Sequence, residues 1–550
     1  MNSQNQLSEA DKQKLFWASF LALTAAGVGF VFRVMIPTMW ADHFQITLAD
    51  VGVLTGAALW PIAVTMILFS LLVDKIGYKV SMFFAFALQA LSVVLTVTAP
   101  DKNVLWWACF SAGLGHGVVE AVINPLCASI YRHDKSKMLN ILHASWPAGI
   151  VLGGIFYLML IDPAAANTWA NTKWVFWFML VPVIAYGVMF LMCHKFPVDE
   201  RVEADVSMME MLKEFGGLGI FLASTFLIYE LSNQINSLDS IVKGIDWGDN
   251  TRLYLCLIVG TLCGFVGGMV VGSPGKILFF ILCLIMIPLA TAELATDAWI
   301  QTLLKPILGD TKAAWAIVLS AGIMMTLRFF AGVPLKVMSP PMLLLISSLF
   351  SIAGLWALSS VAGMLIWVAF VLYAIGQTFY WPTMLGLVSE QFPKGGAMTL
   401  NTVSAMGLLT VGIFGFPFLG AVQDNYKTEA VFEKFPTQFE RVKTEDLKFE
   451  DTTDPANPVD VPIYQEPNFF GVRYESMNVP EFEKAVGLDE AQVAELAGTL
   501  ETTSQQSLKV AAVLPAVMAV AFFLIIIYFT VNGGYRPVVL TNAEPGTEES

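Results

Sequence analysis

Ser70-Leu-Leu-Val-Asp-Lys-Ile-Gly-Tyr-Lys79 joins two long apolar runs, and its reading decides the fold. The run before it, near 50–73, and the run after it, near 80–99, are each long enough to cross a bilayer, which takes about 20 apolar residues. The link between them is short and basic. Asp74 stands at a helix end, where it can pair with basic groups or with the positive N-terminal end of a neighbouring helix. Gly77 permits a tight turn, and Lys75 and Lys79 suit a face that meets anionic head groups.

Working outward, such runs recur from end to end. They lie near 15–40, 50–73, 80–99, 104–130, 138–160, 173–193, 217–235, 252–273, 276–297, 312–334, 341–360, 363–388, 397–421 and 509–531. The chain of 550 residues is 56% hydrophobic and 13% charged, with a mean hydropathy of +0.67. Soluble domains carry roughly 25% charged residues, so a soluble protein of this size would lack polar surface. The fold class is therefore an all-α membrane protein with about 14 transmembrane helices. Basic residues gather at Lys12 and Lys14, in Asp74–Lys79 and Tyr131–Lys137, and at His194–Arg201, Lys276, Lys336 and Lys394. All fall on one side if the segments alternate. That side is expected to be cytoplasmic, with both termini inside and the chain integral to a bacterial inner (cytoplasmic) membrane. No cleavable signal peptide is evident, because the first apolar run is too long and contains Arg33.

The net charge of −14 is local: between Asp424 and Leu508, 18 acidic residues against 7 basic ones supply 11 of those charges. No basic patch suggests nucleic acid. The expected partners are a small-molecule solute and the lipid bilayer. Six cysteines (Cys109, Cys127, Cys193, Cys256, Cys263 and Cys283) fall in or beside apolar segments, so no disulfide framework or CxxC metal site is expected. No nucleotide loop or catalytic triad spacing appears, and the reading is not an enzyme. No cofactor is expected, with a proton gradient as the energy source. Val206–Phe215 reads as a short amphipathic helix at the interface. Residues 424–508 read as an acidic, non-cytoplasmic loop, Pro- and Asp-rich over Asp454–Pro462 and helical over Glu481–Leu500, serving as a cover or a binding lid.

The link 70–79 resembles the signature loop of the major facilitator superfamily, G-x-L-x-D-R-x-G-R-K, with Ser70 in place of the first glycine and lysines at 75 and 79. The resemblance implies a conformational latch at Asp74, Lys75, Gly77 and Lys79. A weaker echo, Leu327-Arg-Phe-Phe-Ala-Gly-Val-Pro-Leu-Lys336, implies a second latch containing Arg328. It also implies two pseudo-symmetric six-helix bundles, here with two extra central helices. The expected divisions are 1–193 for the first bundle and 194–275 for the interfacial helix and extra pair. Then come 276–423 for five helices of the second bundle, 424–508 for the loop, 509–531 for the last helix and 532–550 for a tail.

A second stretch carries the chemistry: Gly113-Leu-Gly-His116-Gly-Val-Val-Glu120-Ala-Val-Ile-Asn124-Pro125, then Leu139-Asn140-Ile-Leu-His143. An ionisable group in a membrane-spanning run costs on the order of 2.5–3.5 kcal/mol on insertion scales and usually faces an interior cavity. This stretch resembles the E-x-x-x-N-P and L-N-x-x-Q pattern of the fucose permease branch of proton-coupled sugar symporters. Carried over by position, Glu120 is the protonatable carboxylate, Asn124-Pro125 a helix break and Asn140 a solute-contacting amide. The chain departs from the branch at His143 (glutamine there), at Trp146 (asparagine there) and at Arg33, near an acidic position.

Arg33 then has three readings: an anion site for the solute, a partner of Glu120 or Glu293, or a static pair. It and Glu293 lie at similar depths in the two halves, so Glu120, Arg33 and Glu293 form the expected proton-coupling set. Gln377 and Tyr380 on a Gly- and Pro-containing helix, with Asn401 on the next, join Asn124, Asn140, His143 and Trp146 as expected solute contacts. The expected function is secondary active transport of a small polar solute, proton-coupled and sugar-like. The alternatives are an organic anion carrier or exchanger using Arg33, and a transporter-like sensor or assembly partner acting through 424–508.

Overall fold

The structure, a computed structural model, describes residues 7–46, 48–162, 165, 167–245, 247–300, 309–451 and 459–540. Among the described residues, thirteen helices are long and apolar enough to cross a membrane, against the fourteen expected. They are α1 (Glu9–Met35), α2 (Val51–Val73), α3 (Tyr78–Thr98), α5 (Lys135–Leu160), α6 (Trp169–Met192), α7 (Met208–Gln234), α8 (Thr251–Val271), α9 (Ile277–Ile300), α10 (Thr311–Lys336), α11 (Pro340–Leu358), α12 (Leu365–Gln391), α13 (Pro393–Lys434) and, last in the chain, α17 (Leu508–Val531). The fourteenth span is α4 (Lys102–Ile130), 29 residues long. It must run from the end where α3 finishes to the end where α5 begins. It falls outside the apolar set because its lining is polar: Asn103, Ser111, His116, Glu120, Asn124 and Ser129 interrupt it. The helix that carries the chemistry is thus less apolar than the other thirteen, although its run near 104–130 is legible in the sequence.

Local chemistry sets the helix starts. Ser8 caps α1 by accepting from the Asp11 amide, with Glu9 and Asp11 in the first turn, and Asp101 caps α4 by accepting from Asn103 and Val104. Such caps satisfy amides that have no partner within the helix. The interfacial helix expected over 206–215 is the first part of α7, opened by a capping box between Ser207 and Glu210 and broken at Gly216. Met211 and Phe215 face inward, while Met209 is exposed.

Helix packing depends on small residues where backbones cross, as expected without a hydrophobic drive between helices in lipid. A close case is α1 on α5. A Cβ on Gly27 would lie 2.3 Å from the Trp146 carbonyl oxygen, and one on Gly149 would lie 2.2 Å from that of Thr24. The extra pair, α7 and α8, packs mainly on itself and, through α7, against α13.

The stretch expected as a loop is a folded lobe. Helix α13 does not stop near 421 but continues to Lys434 and carries the lobe on its end. The lobe adds α14 (Pro436–Thr444), α15 (Val479–Val486) and α16 (Glu490–Gln506). Its three antiparallel pairs are β1 (Lys448–Asp451) with β2 (Val459–Pro462), β3 (Tyr464–Gln465) with β6 (Ser476–Met477), and β4 (Asn468–Phe469) with β5 (Val472–Arg473). Phe435, Phe439, Ile463, Phe482 and Leu496 form a core of its own. On its surface, the Tyr464 hydroxyl, with Glu466 and Glu475, holds the Lys443 ammonium above its ordinary pKa. The tip of the β4–β5 hairpin reaches back to the membrane helices: Phe469 packs on Phe414 at 5.5 Å, and Phe470 stacks on Tyr229 of α7 at 6.0 Å.

Gly149→Ala should force α1 and α5 apart, and overpacking of this kind costs about 1–3 kcal/mol. A lowered Tm in detergent is the expected readout; an unchanged Tm would show that the crossing tolerates a methyl group.

Candidate functional site

A cavity of about 350 Å³ lies between the two sets of helices, towards the lobe end. Phe30 and Arg33 of α1, Gln89 of α3, Ala112 and His116 of α4, Trp146 of α5, Met179 of α6 and Trp299 of α9 line it, with Phe416 of α13. The His116 ring lies on Trp146, with centroids 5.2 Å apart and planes at 18°, and Phe30 meets the same indole at 5.2 Å. Arg33 donates to the Gly29 carbonyl of its own helix at 2.9 Å, and its Nε is buried without a partner. Among the described residues no carboxylate lies within ion-pair distance of it. The expected pairing of Arg33 with Glu120 or Glu293 is therefore not made, because both carboxylates are satisfied elsewhere.

Glu120 lies one helical turn beyond His116, at 3.6 Å from its Nε2. It accepts from Asn124 Nδ2 at 2.7 Å, and Asn124 Oδ1 meets His143 Nε2 at 2.9 Å. The spacing 116, 120, 124 stacks these groups on one face of α4, although Pro125 lies inside the helix. A hydrogen-bonded line thus runs from Glu120, beside the His116 ring on the cavity wall, through Asn124 of α4 to His143 of α5.

Arg328 continues it. Its Nη1 donates to the His143 carbonyl at 3.0 Å and its Nη2 to Glu293 Oε1 at 2.6 Å, while its Nε donates to the Thr378 carbonyl at 2.7 Å. Glu293 Oε2 in turn accepts from the Trp381 amide at 2.8 Å. The reason for this arrangement is a break in α12, whose helical parts are Leu365–Gln377 and Tyr380–Gln391. The guanidinium meets a carbonyl left free at the end of the first part, and the carboxylate meets an amide at the positive start of the second. Glu293 itself sits in a π-turn, Thr291–Ala295, which follows Pro288 in α9. A second π-turn, Val411–Gly415 in α13, packs beside it, so that a Cβ on Gly415 would lie 3.0 Å from that of Ala295. Single π-turns inside α-helices are frequent at functional sites. Arg328, expected in a cytoplasmic latch, is only 1% exposed and lies at the junction of the two helix sets.

The other expected solute contacts are occupied within the protein. Asn140 Nδ2 bridges the Ser136 carbonyl (2.8 Å) and Thr383 Oγ1 (3.1 Å). Gln377 Nε2 donates to Asp297 Oδ1 at 2.7 Å, and Asn401 Nδ2 donates to the Ala121 carbonyl at 3.1 Å. Tyr380 is fully buried in the second part of α12. Of the expected set, Trp146 lines the cavity, Asn124, Asn140, His143, Gln377 and Asn401 bond between helices, and Tyr380 is buried with its hydroxyl unpartnered. Sequence reasoning missed Gln89. Its Oε1 accepts from the Tyr186 hydroxyl at 3.1 Å, and its Nε2 is buried without a partner. The available signal was a lone amide in the apolar run of α3.

At the end carrying both termini, the two helix sets are joined. The Ser136 amide and hydroxyl both donate to Glu390 Oε1, the amide at 3.1 Å. Lys135 pairs with Glu200 at 2.6 Å and donates to the Ser389 carbonyl at 3.2 Å. The segment after α17 straps across this layer: the Tyr535 hydroxyl donates to Glu390 Oε2 at 2.6 Å, and the Val538 amide to the Glu390 carbonyl at 2.8 Å. Within the expected latch, Gly77 makes the corner between α2 and α3 at φ +85°. Lys79 donates to the Leu191 and Cys193 carbonyls at 2.8 and 3.1 Å, where cations favour a helix C-terminus. Lys75 is exposed, and the Asp74 side chain lies outside the described residues.

Residues 15–421 match the family model described as Major Facilitator Superfamily. No curated protein matches the chain in sequence. Among solved structures, the Escherichia coli fucose:proton symporter FucP is similar at 12% identity and TM-score 0.54, covering 94% of this chain and 98% of its own. The proton:xylose symporter XylE is similar at 13% identity and TM-score 0.55, covering 78% and 91%. A bacterial homolog of the human lysosomal transporter Spinster, in an inward-facing conformation, is similar at 12% identity and TM-score 0.54, covering 97% and 100%. At these identities the likeness is one of fold.

Removing one member of a buried ion pair leaves the other uncompensated, at a cost of about 3–5 kcal/mol. Arg328→Met and Glu293→Leu should each lower the Tm in detergent strongly, and the double variant should lose less than the sum of the two, because it leaves no charge unpaired. Additive losses would show that the two side chains act independently.

Proposed function

The chain belongs to the major facilitator superfamily and is a membrane transporter, and from that premise we propose that it moves a small polar solute by alternating access with Glu120 as the proton carrier. The observation that carries the reading is the position of Glu120. It is a buried carboxylate one helical turn behind the cavity wall at His116, 3.6 Å from the ring nitrogen, and hydrogen-bonded to Asn124, which meets His143. Protonation there removes a charge that otherwise organises both histidine rings and the amide. A carboxylate whose partners are neutral or titratable can exchange a proton during a transport cycle, whereas one locked to a guanidinium cannot do so cheaply. By that criterion Glu293, held by Arg328 and a helix N-terminus, is the structural carboxylate of the two. Arg33 is not part of the relay.

The cavity is the solute site in this reading. It lies towards the lobe end and is closed off from the termini end by the layer of Ser136, Asn140, Thr383 and Glu390. Two of the similar structures are proton-coupled sugar symporters, which supports coupling to protons. The orientation, with both termini cytoplasmic, rests on the distribution of Lys and Arg. The lobe at 424–508 acts as a folded cover over the lobe-end face.

A thermal-shift screen of sugars, nucleosides and organic acids identifies a solute for reconstitution. In proteoliposomes with that solute, Glu120→Gln should abolish accumulation driven by a proton gradient and spare counterflow exchange. Proton-driven accumulation that survives the substitution would exclude Glu120 as the carrier.

A further inference from the structure

The walls of the cavity differ from what a sugar requires. A hydroxyl-rich solute both donates and accepts hydrogen bonds at most of its oxygens, so its site needs free acceptors as well as donors. Here side-chain acceptors on the wall are few. Gln89 Oε1 receives the Tyr186 hydroxyl, and Thr55, whose hydroxyl proton goes to the Val51 and Gly52 carbonyls of its own helix, offers its oxygen alone. Among the described residues no carboxylate lines the cavity. Donor capacity is the larger part of what remains. The Arg33 guanidinium is satisfied by one carbonyl of its own helix and keeps a buried Nε with no partner, and Gln89 Nε2 is likewise buried and unpartnered.

A guanidinium left without a counter-charge among apolar walls is costly unless a ligand supplies one. Its planar fork matches a carboxylate with two parallel hydrogen bonds. The rest of the wall is flat and apolar. The Trp146 indole, backed by the His116 ring and flanked by Phe30, offers a stacking face, and Trp299 and Phe416 lie on the other helix set. The volume, about 350 Å³, is near the lower end for sites that enclose a small organic ligand, about 300–1,000 Å³.

We propose that the solute is an organic monoanion with a planar, apolar body, an aromatic or conjugated carboxylate, with its carboxylate on Arg33 and its ring against Trp146. The inference rests on the reading of this cavity as the solute site. It reassigns Arg33 from proton coupling to recognition.

The test uses the full-length protein in nanodiscs and measures binding by isothermal titration calorimetry. The probes are benzoate, phenylacetate and cinnamate, their neutral amides, and L-fucose. At least one carboxylate should bind, its amide at least about tenfold more weakly, and L-fucose not at all. Arg33→Gln should weaken carboxylate binding at least about tenfold, and Arg33→Lys less, because the ammonium keeps the charge but loses the fork. The unliganded Tm of both variants checks folding, and if Arg33→Gln fails to fold, the Arg33→Lys affinity carries the test. Amides that bind as well as acids, carboxylates that all fail to bind, or an affinity indifferent to a folded Arg33 variant would overturn the proposal. Ala112→Trp, which fills the cavity, separates the two levels. L-Fucose binding that this variant removes would leave the cavity reading standing and overturn the anion alone. Carboxylate binding that survives it would put the ligand elsewhere and overturn both.

Discussion

The ion pair between Arg328 and Glu293 bridges a break in a membrane helix, and the central architecture depends on it. A break in α12 leaves a carbonyl on one side and an amide on the other with no helical partner, in a region where water cannot serve. Arg328 takes the carbonyl of Thr378, and Glu293 takes the amide of Trp381. Each charge therefore compensates the backbone as well as its counter-ion. The third arm of Arg328, to the His143 carbonyl, ties this repaired helix to the opposite half of the molecule. The break persists because the pair completes it, and the pair is tolerable in the membrane because the break supplies its remaining hydrogen bonds.

Motion must begin from that arrangement. The hydrogen bonds that join the halves near the termini end are made by side chains: Asn140 to Thr383, Ser136 to Glu390 and Lys135 to the Ser389 carbonyl. Polar contacts of this kind can exchange for water when the end opens, which a close-packed apolar seam cannot do without a large loss. The small-residue crossing of Gly27 on Gly149 lies within one half, whereas that of Gly386 on Ser136 lies between the halves, and Ile62, Met66 and Ala121 share an apolar cluster with Ala405 and Leu409 across them. The π-turns at Thr291–Ala295 and Val411–Gly415 add local compliance beside the cavity, where two helices of the same half meet.

Much of this was legible in the sequence, and its limits have physical causes. Apolar length marked the helices, including the extra pair, because the bilayer imposes it. The basic turn at Asp74–Lys79 and the carboxylate at Glu120 stood out because charge in an apolar run is rare. What could not be read was partnership. Arg33 and Glu293 lie at similar depths, yet depth says nothing about which way a long side chain turns, and Arg328 had already closed on Glu293. Amides such as Asn140, Gln377 and Asn401 looked like solute contacts because the sequence does not distinguish an amide facing a cavity from one facing another helix. The lobe was read as a loop because its core, spread over short strands and helices between Val431 and Leu496, has no long periodic run to reveal it.

Helix α13 has a mechanical consequence. It is built continuously from the layer at Pro393, past the π-turn beside Glu293, and out to Lys434 at the root of the lobe. The 19 residues beyond the π-turn make a rod roughly 28 Å long at 1.5 Å per residue. A tilt of about 10° at its base would displace the far end by about 5 Å, a straightforward lever on that length. The lobe is therefore mounted at the far end of a long lever and steadied by its hairpin on Tyr229 and Phe414. A small tilt beside the cavity would be amplified where the lobe begins.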